Sequence, residues 1–185
     1  MRLDPRVRIV AAIAEKAAIA GLEFLVIGGN AVIAYGYPRT TTDLDLLVRE
    51  LDRRKWDELI IPLGFYQHQI QRVFHMYNPL RHDMPPVDLM LVDAGTFEKL
   101  FANSVESTLA YAKIRLPSLK HLIALKLHAL RTDQSHRRER DLGDVVSLIA
   151  INKVDLAAEE YGEIIERYAT PALVEEIRRR LSGPD

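Results

Sequence analysis

Asp43-Leu44-Asp45 sits at the start of a strongly apolar run that continues through Leu46, Leu47 and Val48. Read as a β-strand over 41–48, the run directs residues i and i+2 to one face, with Cα atoms roughly 6–7 Å apart. Asp43 and Asp45 then share a face while Leu44, Leu46 and Val48 enter the core. Two carboxylates that close repel by a few kcal/mol at an effective dielectric near 20. A central strand rarely carries that cost without a cation. Asp88, in Val87-Asp88-Leu89-Met90-Leu91-Val92, is the third acid if its strand lies beside the first. Three hard oxygen donors with positions left for water and phosphate suit Mg²⁺ or Mn²⁺ better than Zn²⁺.

With thirteen residues between Gly29 and Asp43, the run Phe24-Leu-Val-Ile27 ends in Gly28-Gly29. Two glycines at a strand-to-helix turn let backbone N–H groups approach a phosphate where the helix dipole favours negative charge. Asn30 caps that helix or touches the phosphate. A metal and a phosphate at one sheet edge point to nucleotide chemistry. Arg39, just before the acidic strand, pairs with a phosphate, with Asp43 or in a structural ion pair. Lys126 lies on an apolar helix among Leu122, Ile123, Leu125 and Leu127, so it snorkels to water or reaches into a cleft. Asp93 reads as a turn residue, and Asp141 and Asp144 as structural, with Arg140 four residues before Asp144.

These residues need a scaffold. Asp4-Pro5 marks a helix start, and Gly21 ends that helix. Strands are expected at 24–27, 41–48, 64–69, 71–77, 87–92 and 112–116, with short helices at 30–35, 52–63 and 96–102. From Pro117 the pattern turns helical, with helices over 118–131, 138–149, 156–168 and 172–181. The expected organisation is an α/β (α+β) domain over 1–116, a mixed sheet flanked by helices, followed by a helical bundle over 117–185 packed beside the active cleft.

The chain has 185 residues, no cysteine and a net charge of −1. The near-neutral charge argues against non-specific binding of long nucleic acid, which favours a basic excess. The absence of cysteine rules out disulfides and thiolate metal sites and fits the cytoplasm. Glu15 and Lys16 interrupt the N-terminal apolar stretch, which therefore reads as a helix and not as a signal peptide. No run approaches the roughly 20 apolar residues that span a bilayer. There is no Walker loop and no nucleophile elbow, and the six histidines lack metal-ligand spacing.

Ile27-Gly28-Gly29 followed by Asp43-Leu44-Asp45 resembles the signature of the nucleotidyltransferase superfamily, the group with the DNA polymerase beta-like fold. Gly36, Arg39 and Thr41 before the paired acids are similar to a small prokaryotic branch that includes abortive-infection toxin-like proteins. The stretches beginning at Lys126 and Arg138 also match that branch, so the resemblance covers roughly residues 20–150. It implies a nucleotidyltransferase-like fold and a Mg²⁺-dependent enzyme moving a nucleoside monophosphate from an NTP to a hydroxyl acceptor, whether protein, tRNA or small molecule. It further implies metal ligation and catalysis by Asp43, Asp45 and Asp88, and triphosphate contact by Lys126. A toxin–antitoxin or phage-defence setting with a cognate antitoxin or toxin protein follows from the same branch. The alternative is a non-catalytic nucleotide- or partner-binding module that keeps the fold.

Overall fold

The computed structural model describes residues 5–131 and 135–183. Asp4, the expected cap of the first helix, lies outside them. The chain divides into two compact units, residues 1–31 with 40–117 and residues 32–39 with 118–185.

The first unit opens with helix α1 (Pro5–Ile19), followed by β1 (Leu25–Val26) and the start of α2 (Gly28–Ala34). It continues with β2 (Leu44–Arg49), α3 (Arg53–Ile60), β3 (Phe65–Ile70), β4 (Phe74–Pro79), β5 (Val87–Val92), α4 (Ala94–Ala102), β6 (Val105–Leu109) and β7 (Ala112–Leu116). A five-stranded sheet has the order β1-β2-β5-β4-β3, and β6 and β7 form a separate hairpin. β2 and β5 run parallel and the other pairs antiparallel. A parallel pair needs a crossover connection, supplied here by α3 and the β3–β4 hairpin.

Alternation decides which face is dry. Leu44, Leu46 and Val48 of β2, Val87, Leu89 and Leu91 of β5, and His75 and Tyr77 of β4 are all buried. Each of these sets is spaced by two, so one sheet face is core. Trp56 of α3 is fully buried and meets Phe24 edge-on at 5.8 Å. The Tyr77 hydroxyl donates to Asp57 of the same helix.

Three departures from the sequence expectation have physical causes. β2 begins at Leu44, so Asp43 stands in a bend before the strand. Its backbone carbonyl accepts from the Asn30 side chain at 2.9 Å instead of joining a ladder. β6 is an added strand, whose hairpin turn uses Ala110 at φ 51° and Tyr111 at φ 64°. That geometry normally advertises itself with Asn or Gly, and here it does not. Asp93 is the N-cap of α4, accepting from the Thr96 N–H at 2.9 Å.

The second unit contains the end of α2, the segment through Arg39, and helices α5 (Leu119–Arg131), α6 (Ser135–Ile151), α7 (Glu159–Tyr168) and α8 (Pro171–Ser182). Its core gathers Ile123, Leu127, Leu148, Ile164 and Ile177, all buried. Thr170 caps α8, its hydroxyl accepting from the Leu173 N–H at 3.2 Å, with Pro171 in the first helical position. The Asn152 amide donates to the Tyr35 carbonyl at 3.1 Å, fastening the 32–39 segment to this unit. Among the described residues, no helix is long and apolar enough to cross a membrane.

Candidate active site

The parallel register sets Asp45 of β2 directly opposite Asp88 of β5. Opposed residues in paired strands project from the same face, so two carboxylates arrive side by side on the face away from the core. Asp43 joins them from the bend: one ligand oxygen from each of Asp43, Asp45 and Asp88 lies within 4.8 Å of the others. Asp88 is 8% exposed and the other two are half-buried.

The surroundings hold this arrangement. The Thr41 hydroxyl donates to Asp43 Oδ1 at 2.9 Å, and the Asn30 amide fixes the Asp43 carbonyl. The Ile27 N–H donates to the Asp45 carbonyl at 3.0 Å, bringing the end of β1 against β2. Gly28 follows with φ +60°, a left-handed conformation that glycine adopts without steric cost. A β-carbon there would lie 1.9 Å from Asp45 Oδ2. The glycine therefore makes the space that the carboxylate occupies. Gly29 and Asn30 lie in the first turn of α2.

At these separations each pair of ionised carboxylates repels by about 3–4 kcal/mol at an effective dielectric near 20. The donor set consists of hard oxygens, gathered and held by second contacts. That composition fits Mg²⁺ or Mn²⁺.

The other two expected site residues belong to the second unit and meet there. The Arg39 guanidinium pairs with Asp144 at 3.0 Å. The Lys126 ammonium pairs with Asp141 at 2.5 Å and with Asp144 at 2.8 Å. Asp144 is 1% exposed, so this is a buried cluster of two cations and two carboxylates. Arg39 is therefore held by Asp144 in an ion pair. The anionic half of the cluster had one signal in the sequence, a pair of acids three apart on an amphipathic helix, which local spacing alone reads as surface charge.

No protein-family model matches the sequence, and no curated protein does. Solved structures do resemble the fold. An antigenic nucleotidyltransferase-like protein from Paracoccidioides brasiliensis superposes with a TM-score of 0.56 at 18% identity, over 95% of this chain and 93% of that one. ANT(2'')-Ia, solved in complex with adenylyl-2''-tobramycin, gives 0.62 at 16% identity over 88% of this chain and 98% of its own. The lincosamide antibiotic adenylyltransferase LnuA, with lincomycin bound, gives 0.55 at 12% identity over 76% and 96%. The mixed five-stranded sheet with its flanking helices is thus a nucleotidyltransferase-like fold, shared with these structures.

Proposed function

We propose that the chain is a metal-dependent nucleotidyltransferase that moves a nucleoside monophosphate from an NTP to a hydroxyl acceptor. The observation that carries this reading is the convergence of Asp43, Asp45 and Asp88 within 4.8 Å on a nucleotidyltransferase fold. Solved neighbours that act on antibiotics, one in complex with an adenylylated product, support transfer of this type.

In this reading Asp43 and Asp45 would hold Mg²⁺ or Mn²⁺, and Asp88 would complete the ligand set. The ion supplies positive charge where the phosphates and the leaving pyrophosphate carry negative charge. Asp88 receives the acceptor hydroxyl proton as that oxygen bonds to the α-phosphorus and the bond to pyrophosphate breaks. Gly28, Gly29 and Asn30 bring backbone N–H groups and an amide close to the phosphates. Arg39 and Lys126 are assigned to triphosphate binding, for which they would exchange part of their pairing with Asp144 and Asp141 for phosphate oxygens. Much of the rate enhancement then comes from positioning and charge neutralisation. The abortive-infection-like motifs support a toxin–antitoxin or phage-defence role with a cognate partner protein.

The test is incubation with NTPs labelled at the α-phosphate, Mg²⁺ and a cell lysate, following label transfer and pyrophosphate release. Transfer by the wild type, lost in Asp43→Asn, Asp45→Asn and Asp88→Asn variants that remain folded, is the expected result. NTP binding without transfer or pyrophosphate release would favour a non-catalytic binding module.

A further inference from the structure

Asp45, Asp88, Met76 and Gln69 stand opposite one another on the successive strands β2, β5, β4 and β3. The row continues the acidic site toward the edge of the sheet, on the same face. At roughly 4.8 Å per strand, Met76 and Gln69 follow Asp88 at about 5 and about 10 Å.

Gln69 reaches this face through an irregularity. β3 and β4 shift register between Gln67 and Gln69: Gln67 opposes Tyr77, and Gln69 already opposes Met76. His68 is the extra residue. In a regular strand Gln69 would share the face of Gln67, whose amide donates to Asp57 at 2.9 Å on the core side. The bulge turns Gln69 to the acidic side instead, a known use of bulges beside active sites. It also lets Tyr66, opposite Asn78, share that face with Gln69.

The part of this face on β3 and β4 is uncharged and partly exposed. Phe74, Met76 and Asn78 are half-buried, whereas His75 and Tyr77 between them are buried. Gln69 is exposed and Tyr66 is 46% exposed. Neither strand, Phe65–Ile70 or Phe74–Pro79, contains Asp, Glu, Lys or Arg. A polycationic ligand would call for carboxylates here, and a phosphodiester chain for Arg or Lys. Amides beside apolar and aromatic surface instead suit a ring compound that offers hydroxyls at its rim and C–H surface on its faces.

We propose that this face of β3 and β4 seats the acceptor, with Met76 as its floor and Gln69 as the hydrogen-bonding group that selects it. The acceptor is a neutral, hydroxyl-bearing ring compound, either a sugar or a nucleoside. The proposal rests on the nucleotidyl-transfer reading. One end of the acceptor presents its hydroxyl beside Asp88, and the remainder extends along the row.

Methionine-methyl NMR reads this directly, because Met76 reports from the face and Met84, in the β4–β5 connection, serves as reference. The full chain, saturated with Mg²⁺ and a non-hydrolysable ATP analogue, is titrated separately with trehalose, uridine, kanamycin and bulk tRNA. We expect trehalose or uridine to move the Met76 methyl and leave Met84 still; which one acts separates the free sugar from the nucleoside. Gln69→Ala should weaken that binding about tenfold, the loss of roughly one hydrogen bond, with melting temperature and analogue binding unchanged. The proposal is overturned if neither neutral probe moves Met76 up to millimolar concentration, if only kanamycin or tRNA does, or if Gln69→Ala binds the neutral probe like wild type. Failure of the analogue to bind at all would remove the transferase reading, and this proposal with it; normal analogue binding with a silent Met76 would remove this proposal alone.

Discussion

Gly28 and Asp45 fit together only because Gly28 lacks a side chain: a β-carbon would stand 1.9 Å from Asp45 Oδ2 and 2.5 Å from its carboxyl carbon. Backbone and carboxylate compete for one space at the end of β1. Gly28→Ala is therefore expected to lose about 1–2 kcal/mol for the left-handed backbone alone, and more for displacing the acid. Gly64 provides the control, since it has φ +95° and its nearest neighbour would be Met84 Cε at 3.6 Å. Urea unfolding with and without Mn²⁺ separates the two costs. Gly64→Ala should be destabilised and keep its response to metal, and Gly28→Ala should lose both. Retention of a wild-type metal response by Gly28→Ala would contradict the close fit.

Three carboxylates within 4.8 Å make a second prediction. Mg²⁺ or Mn²⁺ should stabilise the fold by about 2.7 kcal/mol at a hundredfold excess over Kd. Asp45→Asn should abolish that increment and raise the metal-free melting temperature, because one repelling charge is gone. Scanning calorimetry of both proteins across a metal titration provides the check, and equal increments in the two would rule out ligation by Asp45.

Much of this site is legible in the chain because it depends on local period. Asp88 alternates with Val87, Leu89 and Leu91, so β5 and the face of its acid follow from spacing by two, and the strand spans Val87–Val92 as expected. Asp43 is less legible. Its place in a bend depends on Asn30 and Thr41, whose hydrogen bonds to it are tertiary or local side-chain choices that hydropathy does not record. The bulge at His68 is hidden for a related reason: Gln67, His68 and Gln69 are all polar, so no apolar phase marks the slip. Arg39 and Asp144 are far apart in sequence. Helical spacing offered Arg140 as the partner of Asp144, whereas the structure pairs Asp144 with Arg39 and Lys126.

That buried cluster yields a third prediction. Asp144, at 1% exposure, is the shared counter-ion of two cations. Asp144→Asn removes the carboxylate that Arg39 and Lys126 share and leaves Lys126 its contact with Asp141, and breaking a buried ion pair on one side costs about 3–5 kcal/mol. Lys126→Met should destabilise less, since Arg39 still serves Asp144. The double variant should lose clearly less than the sum of the two singles, because the residues share one interaction. Chemical denaturation of the four proteins completes the cycle, and strict additivity would show that the pair is not coupled. In the same proteins, Lys126→Met should weaken binding of a non-hydrolysable NTP by roughly 1.5–3 kcal/mol, the range for a hydrogen bond to a charged group. Unchanged affinity would confine Lys126 to its structural role.

His75 carries the pH dependence. It is 2% exposed on β4, and its Nδ1 has no hydrogen-bond partner. Burial pushes its pKa below the usual histidine range; Asp57 opposes that shift and Arg53 adds to it. The unfolded chain, with a histidine pKa of about 6.5, then takes up the proton before the folded protein does. Stability from a neutral buried His75 is complete above about pH 6.5 and is lost as the pH falls below that value. The loss is at most about 1.4 kcal/mol per pH unit for one proton, and it continues until the folded-state pKa is reached. His75→Phe removes the titration and keeps an aromatic ring in the core. Unfolding free energies measured between pH 7 and pH 5 should fall more steeply in the wild type than in His75→Phe. Carboxylates common to both proteins cancel in that comparison. Parallel curves would mean that the folded protein protonates His75 as readily as the unfolded chain, and that the acid response arises elsewhere.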